Sequence, residues 1–325
     1  MRVRFPLICL FLCIKQILTL KSLRFIIILL LTFTAKNSFA QTDVDGLMMG
    51  KKNLCGGLVY GYGSWTNYWE GQNLRINENL GTVSSQSAWA MANYGITDKI
   101  NFIAMAPYIS NKASAGTLIG NQGMQDLSML LKWEFFGKAF GKNYVSLLAF
   151  AGYSTPITNY VADYLPLSIG MQSNNTMGKI MLDVQRGKWF ATASTNMIYR
   201  SNVTIDRDAY YTTKMIYSNQ VEMPSLMGYN VRLGYRKDAD LVLEVVLDGF
   251  NTIGGYDMRK NEMPFLSNKM DATRIGFNVK IPIPIINGLS FTGNTMYTIA
   301  GRNMGKSTMF MAGILYQTDF TKTTN

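Results

Sequence analysis

The sequence predicts an all-β chain, an antiparallel transmembrane β-barrel of about twelve strands, with fourteen as the alternative. Three observations lead there. From residue 178 to 318 apolar and polar residues alternate with period two, the period of a wall with lipid on one side and a wet lumen on the other. The connections alternate as well, a few residues and then about twenty, as short turns and long loops do at the two ends of such a barrel. The third is an N-terminal stretch with the makings of an export signal.

Within that stretch, Lys21 and Arg24 precede an apolar run at 25–31, and polar residues lead on to Ser38, Phe39 and Ala40. This reads as a secretory signal cleaved after Ala40, so that Gln41 begins the mature chain. The run is too short to span a membrane as a helix. A second apolar run at 5–14 makes the leader long, and translation is read as starting near Leu18 or Leu20. Neither Cys9 nor Cys13 follows the small residue that lipid anchoring needs. The expected organisation is a leader at 1–40, a short periplasmic or lumen-tucked segment at 41–53, a barrel at 54–320 and a polar tail at 321–325.

Strands are expected near 54–65, 81–94, 100–110, 127–136, 144–153, 176–185, 188–200, 225–236, 240–248, 271–281, 289–300 and 307–320. The clearest is 225–236, where Met227, Tyr229, Val231, Leu233 and Tyr235 form one face and Asn230, Arg232 and Arg236 the other. Leu241, Leu243, Val245 and Leu247 likewise oppose Glu244 and Asp248; Ile275, Phe277 and Val279 oppose Arg274, Asn278 and Lys280. Trp189 and Tyr199 share a face ten residues apart, as do Phe310 and Phe320. At a tilt near 45° that spacing spans about 23 Å, close to the height of a lipid-facing band. Short turns at 95–99, 137–142, 186–187, 237–239 and 282–288 are rich in Gly, Pro and Asp. The connections at 66–80, 111–126, 154–175, 201–224 and 249–270 are long, and 301–306 is the exception. Short turns are assigned to the periplasm and long loops to the exterior. Only Pro107 challenges a strand.

The leader holds six of the 31 basic residues and none of the 20 acidic ones. The remaining 25 against 20 give a mildly basic chain, and nucleic-acid binding is not implied. Beyond the leader Cys55 is the single cysteine, so no intrachain disulfide is expected. These features together place the chain in the outer membrane of a Gram-negative bacterium.

The run Asn93, Tyr94, Gly95, Ile96, Thr97, Asp98, Lys99 and Ile100, followed by a strand ending Ala106, Pro107 and Tyr108, resembles the strand, turn and strand of the meta-pathway phenol-degradation family of outer-membrane proteins. The segments 154–160 and 199–204 are similar to it too, as is the hairpin order over most of 54–320. The resemblance implies kinship with transporters of long-chain fatty acids and aromatic hydrocarbons. Relatives with a well-formed hydrophobic path have a longer N-terminal hatch; here about a dozen residues precede the first strand.

No histidine occurs in the chain, which removes the usual base of Ser–His and Cys–His catalysis and most zinc sites. No enzyme, cofactor or metal is expected. Asp43, Val44, Asp45 and Gly46 lack the later acidic ligands of a calcium loop. Lumenal Glu134, Asp183, Glu244 and Asp248 read as wall charges. Arg236 paired with Asp240 would set Arg232 opposite Glu244, with Arg274 flanking from the next strand. Arg232, Glu244 and Arg274 are thus a candidate lumenal girdle, constricting the pore or rigidifying the wall.

The loops carry apolar groups that cost solubility unless they pack or hold a ligand. Trp65, Tyr68, Trp69, Tyr160, Tyr164, Leu167, Met263 and Phe265 are the candidate ligand-binding residues, and loop packing explains them equally well. The expected function is passive uptake of small hydrophobic molecules, aromatics or fatty acids. A sealed structural or adhesive barrel and a general porin are the alternatives. Expected partners are outer-membrane lipid, a hydrophobic small molecule and the assembly machinery that recognises the last strand.

Overall fold

The computed structural model describes residues 42–237, 241–260 and 262–320. The leader with its cleavage point after Ala40, the turn residues 238–240 and the tail 321–325 lie outside them. Twelve long strands form the wall: β1 Asn53–Trp65, β2 Val83–Thr97, β3 Ile100–Ala113, β4 Asp126–Phe140, β5 Asn143–Pro156, β6 Asn175–Arg186, β7 Trp189–Arg200, β8 Ser225–Lys237, β9 Leu241–Ile253, β10 Asp271–Pro282, β11 Leu289–Arg302 and β12 Thr308–Asp319. Each pairs antiparallel with its neighbours, and β1 bonds both β2 and β12, so the sheet is closed. Closure is what a lipid environment demands, because an open edge there would strand backbone N–H and C=O groups. No α-helix occurs among the described residues.

The wall follows the alternation of the sequence. Leu233, Phe277, Ile180 and Phe310 point outward and are exposed, whereas Arg232, Arg236, Glu244 and Lys280 point inward and are buried. Trp189, 69% exposed, and Tyr199, 61% exposed, sit at opposite ends of the outer face of β7. The Trp189 ring meets Tyr235 edge-on at 5.8 Å.

The strands reach further than expected at the long-loop end, β9 to Ile253 and β3 to Ala113. Short hairpins inside the loops escaped the sequence reading: Asn67–Glu70 with Asn73–Ile76, Val203–Thr204 with Gln220–Val221, and Tyr210–Tyr211 with Met215–Ile216. Pro107 does lie within β3, opposite Trp89. It falls where pairing with β4 ends, at Met105 and Ser128, and pairing with the short strand Asn121–Met124 begins at Tyr108. A missing N–H is tolerated in that gap, and the Pro107 carbonyl still accepts from the Gln125 N–H at 2.9 Å.

The β8–β9 register corrects one expectation. The ladder ends on Lys237 opposite Leu241, so Arg236 faces Val242, Arg232 faces Val246 and Glu244 faces Gly234. The arrangement is displaced by two residues from one that pairs Arg236 with Asp240.

Candidate functional site

The lumen is occupied from the short-turn end by the chain's own N-terminal segment. Thr42 and Asp45 close a tight turn: the Asp45 carboxylate accepts from the Thr42 N–H at 2.6 Å, the Thr42 hydroxyl at 2.9 Å and the Leu47 N–H at 3.0 Å. Lys132 of β4, fully buried, donates Nζ to the carbonyls of Thr42 (3.0 Å), Asp45 (2.8 Å) and Leu47 (2.7 Å) and to Asp45 Oδ1 (3.2 Å). Lys179 of β6 donates to the Asp43 carbonyl at 2.7 Å. Met49 and the Asn101 side chain exchange two hydrogen bonds, at 3.0 and 2.9 Å. A Cβ on Gly46 would lie 2.3 Å from that of Asp183, so the segment approaches the wall as closely as only glycine permits.

Beside this segment runs a stripe of paired charges. Arg236 stacks over the Phe190 ring at 3.9 Å and donates to both carboxylate oxygens of Asp183, at 3.2 and 3.3 Å. Arg232 bonds Glu244, which also accepts from Asn278 at 2.7 Å. Arg274 does not flank Glu244. It makes a bidentate pair with Asp248, at 2.9 and 3.0 Å, because the β9–β10 register sets those two opposite and sets Glu244 opposite Asn278. The candidate girdle is therefore two adjacent ion pairs instead of one triad. Of the other carboxylates read as lumenal, Glu134 accepts from the Ser146 hydroxyl at 2.7 Å and Asp183 from Thr192.

Two lumenal cavities adjoin the segment. The larger, of ≈ 360 Å³, has Arg232, Glu244, Asp248 and Arg274 on one wall. Val59, Met91, Met296, Met309, Met311 and Leu315 form the other. The smaller, of ≈ 210 Å³, lies between the outer parts of β3 to β7. Asp43 lines both.

The eight candidate loop residues fall into separate groups. Trp65, Tyr164 and Leu167 pack with Leu80 and Val83 in one loop core. Phe265 joins another, around Val203, Tyr210, Val221 and Leu266. Trp69 is buried against Gly301, where a Cβ would meet its ring at 2.5 Å. Tyr68 stays near Trp65, with ring centroids 6.4 Å apart. The Tyr160 hydroxyl donates to Asp126 at 2.6 Å, and burial pushes that phenol above its ordinary pKa. Met263 remains 46% exposed. None of the eight lines either lumenal cavity.

Sequence reasoning missed Lys132, Lys179 and Asn101. Each occupies an inward position of its strand, and that much was legible. Their partners on 42–49 were not, because the contacts span roughly fifty to 136 residues of sequence.

No family model matches the chain, and no curated protein sequence matches it. Solved structures do. The COG4313 outer membrane channel from Pseudomonas putida F1 superposes with a TM-score of 0.67 at 14% identity, covering 86% of this chain and 100% of that one. The translocator domain of the autotransporter NalP from Neisseria meningitidis gives a TM-score of 0.42 at 10% identity, covering 84% and 90% of the two chains. A mutant of the TodX monoaromatic hydrocarbon channel gives 0.43 at 8% identity, covering 88% and 96%. The fold is that of an outer-membrane β-barrel, in agreement with the resemblance read from the sequence.

Proposed function

We propose that this chain is an outer-membrane channel for passive uptake of small hydrophobic molecules, with its short turns in the periplasm and its long loops outside. The observation that carries the reading is the larger lumenal cavity, walled on one side by methionine and aliphatic side chains. A general porin needs a lumen that stays wet and polar. Flexible thioethers on an inner wall instead suit apolar solutes of varied shape. Structural likeness to the COG4313 channel supports the channel role. Met263, exposed on an outer loop, is the first apolar side chain of the candidate set that such a solute meets. The Arg232–Glu244 and Arg274–Asp248 pairs then narrow the path and discourage free ion flow.

A sealed structural or adhesive barrel is the second reading, favoured by the lumen-filling segment and the packed loop cores. The test is binding and uptake of a small aromatic and of a fluorescent fatty acid by the purified barrel in liposomes, beside its ionic conductance. Uptake of either with small conductance supports the first reading. Absence of both binding and conductance would move the sealed barrel ahead.

A further inference from the structure

The smaller cavity holds a cation that the fold leaves unmatched. Among the lumen-facing cations, Lys132, Lys179, Arg232, Arg236 and Arg274 each bond a carboxylate or a carbonyl. Arg200, at the loop end of β7, is half-buried in this cavity, and its guanidinium has neither a hydrogen bond nor an ion pair among the described residues. Asp43 lines the same space, but its carbonyl is taken by Lys179 and it makes no ion pair with Arg200. A guanidinium drawn partly out of water without an anion carries a desolvation cost, and an arriving anion would offset it.

The neighbours of Arg200 are suited to such an arrival. Asn175 Nδ2 donates to the Ser154 hydroxyl oxygen at 2.9 Å, which leaves the Ser154 hydroxyl hydrogen for another acceptor. Met105, Leu130, Met177 and Ile198 supply an apolar surround. An apolar cavity of about 150 Å³ is enough for one benzene ring, and this one has ≈ 210 Å³.

We propose that this cavity is a binding site for a small apolar carboxylate, the size of a monocyclic aromatic acid, whose carboxylate pairs with Arg200 and accepts from Ser154. The proposal rests on the uptake reading and narrows it, from hydrophobic molecules in general to those bearing an acid group. Guanidinium and carboxylate match in a planar two-bond geometry that neutral and cationic analogues cannot reproduce.

The test is calorimetric titration of the folded barrel, in detergent, with benzoate, benzyl alcohol and benzylamine. Wild type should bind benzoate best. Arg200→Gln should weaken benzoate by about tenfold or more while leaving benzyl alcohol unchanged, and Arg200→Lys should restore part of the loss. Met177→Trp, which fills the apolar part without touching the charge, should block all three and serves if the Arg200 variants fail to assemble. If benzyl alcohol binds wild type as well as benzoate and Arg200→Gln changes neither, the acid-binding site is overturned while uptake of neutral solutes stands. If none of the three binds and no hydrophobic compound is taken up, both readings fall together.

Discussion

Lys132 and Asp45 tie the barrel wall to the chain's own N-terminal segment: the buried ammonium lies 2.8 Å from the Asp45 carbonyl and 3.2 Å from its carboxylate. Hydrogen bonds to a charged group are worth about 1.5–3 kcal/mol each, so removing the ammonium should shift the segment toward release by roughly tenfold or more. Lys132→Met is expected to raise conductance in planar bilayers. Asp45→Ala should raise it less, since Lys132 keeps the carbonyls of Thr42 and Leu47. An unchanged conductance on deleting 42–50 from a folded barrel would show that the segment does not limit flow.

The two lumenal ion pairs should respond separately. Glu244→Gln leaves Arg232 without its carboxylate and should shift ion selectivity toward anions. Arg274→Ala frees Asp248 and should shift it toward cations. Reversal potentials under a salt gradient measure both. The same shift from either substitution would mean that the pairs act as one unit after all.

Leu167 is fully buried in a loop core, and truncating such a side chain costs about 2–5 kcal/mol. Leu167→Ala should therefore leave barrel assembly intact, read by heat-modifiable gel mobility, while making the loop at 157–174 sensitive to protease on intact cells. Phe265→Ala should do the same for 254–270. Protease resistance equal to wild type in both variants would argue against loop cores of this kind in solution.

At the rim, Asp257 accepts from Arg302 at 2.7 and 2.5 Å and from Asn303 at 2.9 Å. Asn303 Oδ1 in turn accepts from the Gly71 and Met258 N–H groups, at 2.7 and 3.2 Å, so the cluster joins three connections. The Arg302 hydrogen bonds hold the Asp257 carboxyl down at about 2. Its contribution is complete above the free carboxyl's pKa, about 3.9, and is lost as pH falls through about 2. Hydrogen exchange of residues 254–260 should accelerate across that acid window. In Asp257→Asn the acid step should vanish and exchange at neutral pH should already be faster. A step that persists in the variant would assign it to another carboxylate.

The wall strands, their inward and outward faces and the alternation of turns and loops were legible in the sequence because they rest on local quantities. A strand reverses its face at every residue, and lipid and water select opposite side chains for the two faces. That sufficed to put Arg232, Glu244, Asp248 and Arg274 in the lumen. It paired Arg232 with Glu244, as observed, but not Arg274 with Asp248, because partners depend on register, and a displacement by two residues leaves every side chain on the same face while changing its neighbours. Arg274 went to Asp248 for that reason.

The filling of the lumen lay further from reach. Lys132 meets Asp45 across 87 residues and Arg236 meets Asp183 across 53, distances bridged only once the sheet has closed on itself. The same holds for Arg200, whose want of a partner is a property of the assembled cavity and of no stretch of sequence. Local residue patterning is enough to specify a barrel and the chemistry of its two faces, since each strand meets lipid and water independently of the others. Which charges are spent on one another, which are left for a ligand and which loops bury their aromatics were decided by closure, because only then do distant residues share one low-dielectric interior.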